Sequence, residues 1–188
     1  MPTSDTHSEN LRMYVNDMLA LERSIHDAVR RQLDDEQVKA HADTAALIGR
    51  LHTTAHARLQ TMELLAESVG GGAGAAVKEA VAAAAGTLAG LYGKVRKHAV
   101  SRMLRDDYTA LSLAATAYSM LYTTALAVRD PRVASVAQQH LKGITPLVME
   151  LSRILPTVVV RELAEDDPDV DQSAARIAQE ATIEAWSA

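Results

Sequence analysis

Apolar residues recur at steps of three and four along most of this chain, a spacing that only packed amphipathic helices satisfy. Leu11, Tyr14, Met18, Leu21, Ile25, Val29 and Leu33 form a first stripe, with Arg12, Asp17, Arg23, Asp27 and Arg30 on the opposite face. A second stripe joins Val38, Ala45, Ile48, Leu51, Ala55, Leu59, Met62 and Leu65 and runs to about Ser68. The third is Leu111, Ala114, Tyr118, Leu121, Ala125 and Val128. The fourth is Val133, Val136, Ala137, Ile144, Leu147, Leu151 and Ile154, with His140 on the same line. No segment sustains the period of two that a half-buried strand needs, and Val158-Val159-Val160 is too short to count. The spacing predicts an all-α chain of four long helices packed as a bundle.

Local signals divide these helices. Ser8 or Asn10 is placed to cap the first, Asp34-Asp35-Glu36 to break it and start the second, and Asp106 or Asp107 to cap the third. Arg129-Asp130-Pro131 stops the third and starts the fourth. Within the fourth, Gly143 and Pro146 predict a kink and Pro156 a second bend or short break. Gly70-Gly71-Gly72 and Gly74 end the second helix. With no strand before them and no Lys-Ser/Thr after, they read as a loop and not as a phosphate cradle. Ala75–Gly93 is Ala-rich and reads as a connecting helix. Asp166-Asp167-Pro168-Asp169 reads as a linker, and Asp171 is placed to cap a C-terminal helix ending near Trp186. The expected division is a bundle over residues 8–165, then an acidic linker and helical tail over 166–188.

Composition narrows the function. With 48% apolar residues but only 3% aromatic, no Phe and one Trp, the core must be built from Ala, Leu, Val, Ile and Met. The absence of Cys excludes disulfides, thiolate metal sites and a Cys nucleophile. A net charge of -5 gives no basic footprint for nucleic acid. Lys94, Arg96, Lys97, His98, Arg102 and Arg105 form the one local basic cluster, which suits either an anionic ligand or, more plainly, a solvated interhelix turn. Met1–Glu9 lacks a basic start followed by an apolar run, and the apolar stretches read as broken short of a membrane-spanning length of about 18 residues. A cytoplasmic protein without a membrane span is the expectation.

Chemistry-bearing residues gather near the junction of the first two helices. Glu22 and His26 are spaced i,i+4, as are His52 and His56, so each pair shares a helix face. With His140 on the fourth helix, these groups suit one ion of iron, zinc or manganese held by Glu22, His52, His56 and His140. The plainer reading makes each imidazole a hydrogen-bonded neighbour of the core, and Glu22 with His26 a surface pair. Tyr118 and Tyr122, again i,i+4, read as core aromatics with satisfied hydroxyls.

The run from Tyr14 to Glu22, followed by His52-Thr-Thr-Ala-His56-Ala-Arg-Leu59, resembles the first helix pair of the ferritin-like superfamily, nearest its YciE/YciF-type bacterial stress proteins. The likeness spans roughly Leu11 to Leu163. It implies a four-helix bundle with a helical connector between the second and third long helices, for which Ala75–Gly93 stands. Diiron members place one Glu on each of two helices and Glu-x-x-His on each of the other two. Glu22 matches the first Glu and His56 the second-helix His, but Thr53 stands where that motif has its Glu. Ala115-Thr116-Ala117-Tyr118 carries no acid, and Gln138-Gln139-His140 offers an imidazole without the acid. The resemblance thus implies a stress-associated structural or binding protein without a standard diiron centre, forming homo-oligomers through helix faces. The alternative is a metal-binding protein or oxidoreductase using the reduced Glu/His set.

Overall fold

The structure is a computed structural model that describes residues 4–70 and 99–187, and those residues form six helices and no strand. The expected connector Ala75–Gly93, and Lys94, Arg96, Lys97 and His98 of the basic cluster, lie outside the described residues. The helices are α1 (Ser4–Gln32), α2 (Glu36–Lys39), α3 (Ala42–Ser68), α4 (Ala99–Ala127), α5 (Pro131–Asp166) and α6 (Ala174–Ser187). The chain is all-α, as the apolar spacing requires.

Helix boundaries depart from expectation where local signals compete. α1 already runs from Ser4, so Ser8 and Asn10 are interior residues and neither caps it. The break after α1 is a separate short helix: the Asp35 carboxylate accepts from the Gln37 and Val38 amides at 2.8 and 3.3 Å, and α3 restarts only at Ala42. Asp106 and Asp107 do not cap α4; they lie buried inside it. Asp107 accepts from Gln32 Nε2 at 2.9 Å and Asp106 from Arg105 Nε at 2.9 Å. The start of α4 instead receives the carboxylate of Glu162 from α5, which accepts from the Val100 amide at 2.8 Å and so satisfies an orphan donor of that helix. α5 continues through Pro146 and Pro156 with no break at either.

The turn between α4 and α5 forms as its residues predict. Arg129 adopts a left-handed φ of 62°. Its amide bonds Leu126 O at 3.2 Å while that of Asp130 bonds Ala125 O at 2.9 Å, so the last carbonyls of α4 find donors. Asp130 then caps α5, accepting from the Arg132 and Val133 amides. Asp171 Oδ1 accepts from the Ser173 amide at 2.9 Å ahead of α6. That tail packs on α5 of its own bundle of helices through Gln179 Nε2 to Arg153 O at 2.9 Å, with the Trp186 ring edge-on to Tyr108 at 6.2 Å.

Side-chain pairs fix the directions. Glu22 meets Arg58 while His26, one turn on, meets His52 and His56, and Tyr118 meets His140 while Val100 meets Glu162, so α1/α3 and α4/α5 are antiparallel. Gln32–Asp107 and Glu22–Tyr118 make α1/α4 antiparallel as well. Asp43–Arg161 and Arg50–Glu150 do the same for α3/α5. It follows that α3 and α4 run in the same direction, and the end of one and the start of the other lie at opposite ends of the molecule. Between the four long helices sits one core of buried Val, Leu, Ile, Met and Ala, with Tyr118 its largest fully buried side chain.

Two helices, Ala99–Ala127 and Pro131–Asp166, are long and apolar enough to cross a membrane by length and composition alone. This corrects the reading of broken apolar stretches, because no charged residue or glycine interrupts Tyr108 to Val128. In the structure both helices turn polar side chains, among them Tyr118, His140 and Glu162, into contacts with neighbouring helices. The turn geometry gives a direct test by urea denaturation. Arg129→Gly should raise stability by about 0.5–1 kcal/mol through relief of the left-handed backbone, and Asp130→Ala should lower it by about 1 kcal/mol through loss of the cap.

Candidate functional site

At the centre of the core each long helix contributes one polar side chain to a continuous chain of hydrogen bonds. Glu22 on α1, Arg58 on α3, Tyr118 on α4 and His140 on α5 are 0%, 6%, 0% and 7% exposed. Glu22 Oε1 accepts from Arg58 Nε at 2.8 Å and from the Tyr118 hydroxyl at 2.8 Å. His140 Nδ1 lies 2.9 Å from the same hydroxyl. Since the Tyr118 proton is committed to Glu22, His140 must donate from Nδ1, which fixes its tautomer and leaves Nε2 as the acceptor. Glu22 Oε2 and Arg58 Nη2 are buried without a hydrogen-bond partner.

The electrostatics follow from burial and from the one guanidinium. Desolvation pushes the Tyr118 hydroxyl well above its usual range, and the adjoining Glu22 carboxylate adds to this. Desolvation, reinforced by the Arg58 cation, pushes His140 down to about 4. His140 is therefore neutral, and Tyr118 protonated, at neutral pH. The arrangement holds protons in place; it presents no nucleophile. A nearby recess lined by Ile25, Val29, Leu51, Asp107 and Leu111 leaves no room even for a water molecule.

Of the expected metal set, the structure brings Glu22 and His140 together through Tyr118 and places His52 and His56 elsewhere. These two meet His26 across the α1/α3 seam, with ring centres 5.2 Å (His26–His52), 5.4 Å (His26–His56) and 6.3 Å (His52–His56) apart. Among the described residues, no group of three or more His, Asp or Glu stands as placed where it could hold a metal ion. Glu22 and His26 do not form a surface pair: Glu22 points into the core and His26 Nδ1 lies 3.4 Å from Asp27. Tyr122 receives a hydrogen bond from Gln138 Nε2 at 3.3 Å. In the basic cluster, Arg105 is engaged by Asp106.

Arg58 is the member of the buried network that the sequence reading passed over. Its signal was present, since it falls between Ala55 and Met62 at the three-and-four spacing of the buried stripe. A cation at such a position requires a buried anion opposite, and Glu22 is the acid on the facing helix. Comparisons of the chain with family models, curated proteins and solved structures give no match.

Two outcomes test this network. Arg58→Ala leaves the Glu22 carboxylate buried and unpaired and should cost about 3–5 kcal/mol in urea unfolding, whereas the double replacement Glu22→Leu/Arg58→Leu should cost clearly less. His140 binds its proton less readily folded than unfolded, so stability should fall as pH drops from about 6.5, the usual His value, toward about 4. The His140→Gln variant should show a shallower fall over that window; equal slopes would contradict the assignment.

Proposed function

We propose that this chain is a ferritin-like four-helix bundle whose interior cation is an arginine, serving as a stress-associated structural or binding protein through its helix faces. The observation that carries the proposal is the buried Arg58–Glu22 contact at 2.8 Å. Glu22 is the acid that the ferritin-like resemblance assigns to a metal ligand, and here its charge is balanced by a side chain. A divalent ion at the same carboxylate would have to displace or sit beside a guanidinium in a dry interior, where like charges repel strongly. The helix order agrees with the reading. α3 and α4 run in the same direction, with the end of α3 and the start of α4 at opposite ends of the molecule, the arrangement that a ferritin-like order with one long crossover produces.

The bundle also carries a surface suited to partner helices. Thr109, Leu113, Thr116, Met120, Thr123 and Ala127 repeat at four and three along α4, all exposed and all uncharged. That spacing is the one used by helices that pair along a seam, and it supports self-association through helix faces. The second reading, one metal ion shared by Glu22, His52, His56 and His140, gains no support from a geometry that divides those residues between two places.

The test uses tag-free protein in which His26, His52 and His56 are replaced by Ala, so that the histidines of the α1/α3 seam cannot bind in place of the interior. Added Fe²⁺, Zn²⁺ or Mn²⁺ should leave its thermal midpoint unchanged. Stoichiometric metal in that protein, lost again on Glu22→Gln, would contradict the proposal.

A further inference from the structure

The three histidines at the α1/α3 seam are not used by the interior network. His52 and His56 stand one turn apart on α3, the spacing at which two imidazoles on one helix reach a single ion. His26 approaches both from α1. Three imidazoles bound through nitrogen at about 2.1 Å to one tetrahedral ion would have ring centres roughly 5 Å apart. The observed separations are 5.2, 5.4 and 6.3 Å. The two separations from His26 thus already match a tripod, the His52–His56 separation is about 1 Å too wide, and the ring orientations differ: the planes are 18–39° apart, tilted or stacked, and the nitrogens do not converge. Binding would require rotation about the side-chain torsions, of which the terminal one is broad for histidine rings.

We propose that His26, His52 and His56 bind one late first-row divalent ion, with zinc best suited to the geometry and solvent in the fourth position. Further features favour this site. Asp27 Oδ1 lies 3.4 Å from His26 Nδ1, the carboxylate–histidine relation that holds a ligand ring with Nε2 free for metal. His56 is exposed and His26 and His52 are half-buried, which leaves an entry path. Arg30 lies near enough to act on His52 and works against a cation. The preferred metals are therefore those that bind imidazole most strongly, copper, nickel and zinc, and not manganese.

The measurement is titration of tag-free protein with ZnCl₂ against a chromophoric chelator at pH 7.5. One equivalent should bind, and His26→Ala, His52→Ala and His56→Ala should each weaken binding at least tenfold. His140→Gln, altered in the core, should leave it unchanged. Far-UV circular dichroism of each metal-free variant checks that the fold is kept, and the exposed His56 gives a variant that burial cannot compromise. Absence of saturable binding overturns the proposal, as does binding that His26→Ala leaves within twofold, since α3 alone would then hold the ion. The interior reading is tested in protein lacking all three histidines, so the two stand or fall separately.

Discussion

The contact between Arg58 and Glu22 is the constraint around which the rest of the core is arranged. A guanidinium and a carboxylate taken out of water lose several kcal/mol of solvation each, and their attraction repays this only when the remaining donors and acceptors are engaged. Tyr118 supplies one such engagement and His140 continues it, so the pair recruits α4 and α5. Apolar packing alone would let neighbouring helices slide by a turn at modest cost, because Leu, Ile, Val and Ala stripes are interchangeable in register. A slide of one turn moves Arg58 about 5 Å from its carboxylate and strands two buried charges. The polar chain therefore selects one register among several that would bury similar apolar area.

Polar pairs away from the centre repeat that register. Gln32 reaches Asp107 between α1 and α4, and Glu162 binds the first amides of α4 from α5. On the α3/α5 side, Arg161 makes two hydrogen bonds to Asp43 and holds that carboxyl down at about 2. This pair is partly exposed and its contribution falls away only in strong acid, below the window in which His140 titrates. The interior chain and the outer pairs impose the same antiparallel directions on every neighbouring pair of long helices. Two helices that pass for membrane spans by composition fit this scheme, since they turn polar residues toward one another, α1 and α3.

The apolar spacing made the four long helices legible, and it also placed the core: Met18, Ile25, Ile48, Leu51, Leu121 and Leu151 are all buried as read. The caps were less legible because Asp is ambiguous. Asp35 and Asp130 bind helix-start amides as their positions suggest, and Asp171 binds the Ser173 amide just ahead of α6, whereas Asp106 and Asp107 have the same appearance and instead lie inside a helix. Nothing local separates the two cases; the partner of Asp107 is Gln32, distant in sequence. The site was half legible for the same reason. Glu22 and His140 were picked out by lying beside or on apolar stripes, but spacing on separate helices does not say which residues meet. Arg58 followed the stripe as faithfully as Leu51 and was overlooked for being charged, and with it went the reason that His52 and His56 are excluded from the centre.

Arg58 Nε–H reports the central claim most directly, through ¹⁵N-resolved NMR of the arginine side chains at neutral pH. A guanidinium locked on Glu22 predicts one Nε–H resonance that exchanges with solvent far more slowly than those of exposed arginines. In protein lacking His26, His52 and His56 it should stay in place when Fe²⁺ or Zn²⁺ is added in excess. An Arg58 signal that exchanges as fast as the others, or that one equivalent of either ion displaces in that protein, would contradict it.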